Sequence, residues 1–288
     1  MSRIPVKIRG EWVTLPNITD QEYDELCMRA PRSLNICPTC RGKRFDGDEA
    51  GHIKSGGDHF GELNGQYKYK GVIYECDCVG QMALFRHYLA SNIGEQYMRL
   101  DWTEYSGDLD AKGLIDQYIG VWPTARSNGM GVTLWGPVGV GKTFAATHIA
   151  KSLLRKGQKV WFTHFKEIVD DSLKLTGQAA LDYQTKLMNV SCLVVDELYW
   201  LSSQSDQRKN LFGEFLEQVV RYRTNRNLPI ILTSNLAPDE FESTYPRVFS
   251  LLEAKQWVIE MQGLDYRRTA ANLENLEMTI NGEVRPIV

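Results

Sequence analysis

A chain of 288 residues holds one large domain or two unequal ones, and its 43% hydrophobic and 24% charged residues are ordinary for a globular protein. A formal net charge of -3 excludes a generally basic nucleic-acid coat, so any contact with DNA must use a local patch of Lys and Arg. No apolar run approaches the roughly 20 residues that span a bilayer, and Met1-Ser2-Arg3-Ile4-Pro5-Val6 lacks a signal-peptide core; the expectation is a cytoplasmic chain with reduced thiols and no membrane partner.

The predicted elements begin with residues 3–15, which alternate apolar and polar about Arg9-Gly10 and read as a short hairpin. Thr19-Asp20-Gln21-Glu22 has capping-box spacing and starts a helix, with Tyr23, Leu26, Cys27 and Ala30 on one face. Residues 41–66 are rich in Gly, Asp, His and Lys and predict a loop or hairpins without a core of their own. Residues 67–76 read as strand, Val79 to about Met98 as helix, and Arg99 to Asp110 as a polar, irregular linker.

Beyond the linker the pattern becomes strand alternating with helix. Strands are expected at 132–135, 160–165, 191–195 and 229–233, and helices at 142–156, 166–175, about 178–188 and 207–225. That alternation predicts an α/β fold whose parallel sheet is flanked by helices.

Cys37-Pro38-Thr39-Cys40 and Cys76-Asp77-Cys78 form a C-x2-C and C-x-C set around the polar stretch. Four thiolates in a reducing compartment suit a structural, tetrahedral Zn²⁺, and a metal can supply folding energy that this poorly apolar segment cannot. The alternatives are two unconnected cysteine pairs, or a redox C-x-x-C without the strand–helix context such a motif needs. His52 and His59 lie in the polar loop and are left out of the ligand set; Cys27 and Cys192 read as small core residues.

Gly136-Pro137-Val138-Gly139-Val140-Gly141-Lys142-Thr143 matches G-x-x-x-x-G-K-[ST] in full, after a predicted strand and before a predicted helix. Glycines let the backbone turn its N–H groups around phosphates, and the helix N-terminus adds partial positive charge. Lys142 is placed to reach the β- and γ-phosphates of ATP, and the Thr143 hydroxyl to ligate Mg²⁺. These residues, with Phe144 and Asp196, form the expected contact set for ATP or ADP; the alternative is a glycine-rich turn that binds nothing.

Cys192-Leu193-Val194-Val195-Asp196-Glu197 is an apolar strand ending in two acids, at the sheet edge where ligands of open α/β sheets bind. Asp196 is expected to hold Mg²⁺ through water, and Glu197 to orient or deprotonate the attacking water. Asn235, ending Pro229-Ile-Ile-Leu-Thr-Ser-Asn235, is a third polar group for that water or the γ-phosphate.

Together Gly131-Val-Thr-Leu-Trp-Gly-Pro-Val-Gly-Val-Gly-Lys-Thr143, Leu193-Val-Val-Asp-Glu-Leu198, and Arg223 ahead of Leu228-Pro229-Ile-Ile-Leu-Thr-Ser-Asn235 resemble the DnaC/DnaI/IstB group of AAA+ ATPases, over roughly residues 92–268. The resemblance implies Asn235 as sensor 1 and ATP-dependent self-association, in which an arginine of one subunit completes its neighbour's site. Arg247, in Tyr245-Pro246-Arg247-Val248-Phe249, lies in the segment where such loaders carry interface arginines; their second arginine, four residues on, is here Leu251. Arg267 and Arg268 resemble the family's Tyr-Arg ending and stand as a sensor 2 candidate. Only 25 residues follow Gly263, too few for a multi-helix lid.

The expected division is a zinc-binding α+β domain at 1–85, a helical linker at 86–108, the AAA+ ATPase domain at 109–268 and a tail at 269–288. The zinc module is similar to that of DnaI-type loaders, which implies an ATP-dependent loader of a replicative hexameric DNA helicase onto single-stranded DNA. The rivals are an IstB-like transposition helper that binds DNA and regulates a transposase, and a non-catalytic adaptor, against which Glu197 speaks. DNA-contact candidates are Lys151, Arg155, Lys156 and Lys159, then Arg221, Arg223 and Arg226, then Phe165 and Lys166; ordinary solvated or interface positions are the alternative for the two clusters.

Overall fold

Cys192-Leu193-Val194-Val195 offers no polar face for four residues, and a strand of that kind must be covered on both sides. The computed structural model describes residues 5–8, 10–17, 50–55, 62–69, 72–75, 77–198, 206–265 and 285–288. It divides the chain into two units: residues 1–104 with 154–157 and 269–288, and residues 105–153 with 158–268.

The second unit is an α/β fold. Its strands are β6 (Gly131–Trp135), β7 (Val160–His164), β8 (Cys192–Leu198), β9 (Ile230–Ser234) and β10 (Gln256–Glu260). They pair in the order β10-β6-β9-β8-β7, every pair parallel. Because β6 lies between β9 and β10, and β8 between β7 and β9, the strands bearing the glycine loop, the two acids and Asn235 sit side by side. Helices α3 (Leu109–Gly120), α4 (Trp122–Asn128), α5 (Lys142–Arg155), α6 (Phe165–Lys174), α7 (Gly177–Asn189), α8 (Asp206–Thr224), α9 (Pro238–Thr244) and α10 (Pro246–Leu252) connect them. Leu193, Val195, Ile230 and Leu232 pack with Phe165, Ile168, Leu187, Leu216 and Val220 in one apolar cluster.

Five elements of this unit were not expected: α3, α4, α9, α10 and β10. In α3 the buried residues are Ala111, Ile115 and Tyr118, at helical spacing. Leu109 and Leu114 are exposed and blur that stripe. Tyr118 meets Trp257 of β10 edge-to-face at 5.7 Å, so the strand's place depends on a contact distant in sequence.

In the first unit β1 (Pro5–Ile8) and β2 (Glu11–Thr14) form the expected hairpin, with Ile8 opposite Glu11 across Arg9-Gly10. β3 (Ala50–Ser55), β4 (Glu62–Tyr69) and β5 (Val72–Glu75) form a three-stranded antiparallel sheet, so the polar stretch contains hairpins. α1 (Cys78–Ala90) and α2 (Glu95–Met98) follow. In the segment expected as a helical linker, 86–108, Tyr88, Ile93 and Met98 are buried, continuing the apolar stripe of Met82 and Phe85, and the division between the units falls after Glu104. The end of the expected tail is also packed. Gln81, itself buried, accepts the Ile287 N–H at 2.5 Å and donates to the Ile287 carbonyl at 3.1 Å, and Tyr88 donates to the Val288 carbonyl at 2.9 Å.

Arg223 of α8, a candidate for a solvated or interface arginine, is instead wholly buried. Its Nη1 donates to the carbonyls of Leu187 and Met188 at 2.9 and 3.2 Å, and its Nη2 to those of Val190 and Pro229 at 3.0 and 2.8 Å. Leu187 and Met188 lie in the last turn of α7, where carbonyls lack intrahelical donors and a cation is favoured. Burial pushes the guanidinium down to about 10, still charged at neutral pH. One side chain thus ties the exit of α7 to the entries of β8 and β9. Arg223→Met, which leaves these carbonyls without their donor, is expected to cost on the order of 3 kcal/mol or more in denaturant unfolding. Arg223→Lys should recover only part, since an ammonium lacks the planar fork; a midpoint unchanged in the Met variant would show that the carbonyls find other donors.

Candidate nucleotide site

The glycine loop leaves β6 at Trp135 and enters α5 at Lys142. Gly136 has φ +145°, and a Cβ there would lie 2.1 Å from the Met261 carbonyl oxygen, so only glycine lets β6 turn beneath the segment after β10. Gly141, at φ +95°, is met from the other side by Tyr105, whose ring carbon would lie 2.8 Å from an added Cβ. Tyr105 is buried; it donates its hydroxyl to the Val140 carbonyl at 3.0 Å, accepts from the Asp108 N–H at 3.2 Å, and meets Phe144 edge-to-face at 5.9 Å. Asp108 in turn caps α3 by accepting the Ala111 N–H and also accepts the Gln262 N–H, both at 2.9 Å. A residue read as linker therefore braces the loop from behind.

Pro137 and Val138 are exposed at the loop's crest, while Val140 and Phe144 are buried. Phe144, expected among the nucleotide contacts, turns its side chain against Tyr105. Lys142 folds back over the loop, its Nζ donating to the carbonyls of Gly136 at 2.7 Å and Pro137 at 2.5 Å. An ammonium held by two neutral carbonyls is poised to exchange them for phosphate oxygens.

Asp196 is wholly buried at the end of β8. Its Oδ1 accepts from the Thr143 hydroxyl at 3.2 Å and the Thr233 hydroxyl at 2.5 Å, so the glycine loop and β9 converge on one carboxylate. Its Oδ2 is buried without a hydrogen bond among the described residues and lies 3.3 Å from His164 Nδ1, an ion-pair distance. His164 is the register partner of Asp196 on β7. Contact with Asp196, against the cost of burial, raises its imidazole above the usual range. Neither His164 nor Thr233 was expected at the site; only the strand register, which sequence spacing does not supply, puts them there.

Glu197 differs from its neighbour. It is exposed, at φ +57°, and its N–H donates to the Thr233 hydroxyl at 2.8 Å. The β8–β9 register slips between Val195 and Leu198, which turns Glu197 out of the strand's alternation. Asn235 follows β9 directly and is exposed, after Ser234, whose hydroxyl accepts the Leu236 N–H at 2.9 Å. The residues fit a Mg²⁺–nucleotide: a buried carboxylate oxygen lacks a hydrogen bond, a hydroxyl of the loop reaches the same carboxylate, and the loop opens a helix N-terminus.

Arg247 lies exposed on α10, with Glu217 of α8 at 3.5 Å; its partner is that carboxylate and not a group of the glycine loop. Cys37, Cys40 and Cys76, and the Arg267–Arg268 pair, lie outside the described residues, as does the helix expected from Thr19. Cys78 begins α1. Cys192 is buried, and burial pushes its thiol up to about 12. Two DNA-contact expectations need correction. Phe165 is buried in the apolar cluster and has no free face for a base, although Lys166 is exposed. In the arginine group Arg223 is internal, Arg221 pairs with Glu217 at 2.7 Å and Arg226 lies over Tyr222 at 3.8 Å; Lys151 of the other group is buried.

Residues 98–254, over half of the chain, match the family model of IstB-like ATP-binding proteins. The chain belongs to this family. The chain is 28% identical over 115 residues to the replicative helicase loader DnaI of Bacillus subtilis, covering 40% of this chain and 36% of that one. It is also 28% identical over 123 residues to an ATP-binding protein in an insertion sequence of Mycobacterium tuberculosis, covering 41% of this chain and 45% of that one. The chain thus spans less than half the length of either curated relative. Among solved structures it is similar to the DnaC helicase loader, with a TM-score of 0.51 and 19% identity over 59% of this chain and all of that one, a likeness of fold. The parallel sheet flanked by helices is the α/β architecture that this IstB-like chain was expected to have.

The bracing of the loop by Tyr105 gives a direct test. Tyr105→Phe keeps the ring against Gly141 and Phe144 but drops both hydrogen bonds of the hydroxyl. At about 1 kcal/mol per bond, affinity for a non-hydrolysable ATP analogue should fall at least about fivefold in isothermal titration. An unchanged dissociation constant would mean that the loop keeps its shape without the hydroxyl.

Proposed function

We propose that this IstB-like protein binds Mg·ATP at Gly136–Thr143 and hydrolyses it, with Lys142 on the β- and γ-phosphates and Asp196 and Thr143 as the Mg²⁺ residues. The observation that carries this reading is the convergence of Thr143 and Thr233 on the buried Asp196, beside a Glu197 turned out of the strand. A bound Mg²⁺ would neutralise charge on the phosphates. In this reading Glu197, exposed next to that carboxylate, takes the proton of the attacking water, and Asn235 orients the water. Arg247 is assigned to a neighbouring subunit's site in an ATP-dependent assembly, a role that requires it to leave Glu217.

The biological role proposed is loading of a replicative hexameric helicase onto single-stranded DNA in the cytoplasm. No helix among the described residues is long and apolar enough to cross a membrane, which accords with that setting. The core does not separate this role from that of a transposition helper, because the loader and the insertion-sequence protein match at the same identity. What favours the loader is the cysteine set Cys37, Cys40, Cys76 and Cys78, proposed to hold one structural Zn²⁺ in an N-terminal partner-binding module spanning about residues 1–85. The equal match to the insertion-sequence protein keeps the transposition helper as the second reading.

Two measurements test these proposals. Lys142→Ala should abolish Mg·ATP binding, whereas Glu197→Gln should keep ATP and slow its hydrolysis by at least about 100-fold; normal turnover in the latter would remove Glu197 from the chemistry. In a pull-down, the full chain should contain one zinc and capture a replicative hexameric helicase, and Cys37→Ser should lose both while still binding nucleotide. Absence of zinc from protein purified without chelator would end the metal assignment, and capture of a transposase in place of the helicase would favour the transposition reading.

A further inference from the structure

The Thr233 hydroxyl is one O–H group placed between two neighbouring acids. It is buried at the end of β9, donates to Asp196 Oδ1 at 2.5 Å, and accepts from the Glu197 N–H at 2.8 Å. These directions are forced. A backbone N–H can only donate, so the hydroxyl's lone pair faces Glu197 and its single proton faces Asp196. The same bond lies where the β8–β9 register slips and where Glu197 takes φ +57°, a conformation unfavourable for a residue with a Cβ.

We propose that Thr233 is a positioning residue for ATP hydrolysis: its hydroxyl fixes the carboxylate of Asp196 and the backbone of Glu197 at once, and so sets where the general base stands relative to the metal-binding carboxylate. The proposal rests on the hydrolysis reading given above. Thr233 is assigned no contact of its own to nucleotide or water; it acts through the two acids to which its hydroxyl bonds. Without the hydroxyl, the Glu197 N–H loses its acceptor and Asp196 Oδ1 keeps only the longer 3.2 Å bond from Thr143. The slipped register is then held by one side-chain bond fewer, the Ser234 hydroxyl still donating to the Leu198 carbonyl at 3.2 Å, and Glu197, whose own N–H has lost its acceptor, can relax toward the regular strand, away from the water. The phosphates are assigned to the glycine loop and Lys142, and Thr143 still bonds Asp196 when the Thr233 hydroxyl is gone, so the loss should fall mainly on turnover.

The test is steady-state ATP hydrolysis by full-length protein, with binding of a non-hydrolysable ATP analogue measured in parallel. Thr233→Val, nearly isosteric, should bind the analogue within about threefold of wild type, about 0.7 kcal/mol. Its kcat should fall about 100-fold, the scale on which small misplacements of catalytic groups act. Thr233→Ser, which restores the hydroxyl, should regain most of kcat, a rescue that a purely packing role of the methyl would not give. Combining Thr233→Val with Glu197→Gln should lower kcat no further than Glu197→Gln alone. If Thr233→Val turns over normally while wild type is active, the proposal fails and the hydrolysis reading stands. If wild type itself does not hydrolyse ATP, the hydrolysis reading fails first. Should Thr233→Val and Thr233→Ala both lose analogue binding, the proposal is overturned as well, since a hydroxyl that only positions the acids is not needed for binding.

Discussion

The site depends on one buried carboxylate. Asp196 sits at the end of an apolar strand with no exposed surface, where an anion is costly unless its oxygens are satisfied. Hydroxyls from two other elements supply part of that satisfaction, Thr143 from the first turn of α5 and Thr233 from the end of β9. His164 on β7 approaches the remaining oxygen. The charge therefore gathers β7, β8, β9 and the glycine loop at one point. It also leaves one oxygen without a hydrogen bond, the feature that suits the carboxylate to a cation.

Two further residues hold the frame around that point by similar means, each satisfying backbone groups that would otherwise be buried alone. Arg223 ties the end of α7 to the strands that follow it through four carbonyls. Tyr105 does so on a smaller scale, bridging the Val140 carbonyl and the Asp108 N–H behind the loop. In both cases a polar side chain is internal because the main chain around it needs a donor or an acceptor, and the surrounding apolar residues exclude water from taking that part. This explains why an arginine read as surface charge, Arg223, is absent from the surface.

The contrast between Asp196 and Glu197 is a matter of backbone as much as of side chain. Regular pleating alone would point the two to opposite faces of the sheet. Here the register slip and the positive φ of Glu197 turn the second acid out to solvent while the first stays buried. The roles proposed for the two acids, holding a cation and exchanging protons with water, call for these two different environments, and the strand end has both within two residues.

The sequence alone determined the local features that a short window encodes. The glycine loop required a strand before it and a helix after it, and the apolar run before Asp196-Glu197 required a covered strand; both follow from periodicity and from glycine's access to positive φ. What lay beyond it were the consequences of strand order. Thr233 and His164 reach Asp196 because β9 and β7 flank β8, and no spacing along the chain shows which strands are neighbours. Tyr105 read as linker and α3 was missed because Leu109 and Leu114, exposed in the fold, hide the stripe of Ala111, Ile115 and Tyr118. Ile287 read as tail because its partner, Gln81, lies 206 positions earlier in the chain. In each case tertiary packing decided, since a side chain's burial is fixed by what lies across from it and not by its neighbours in sequence.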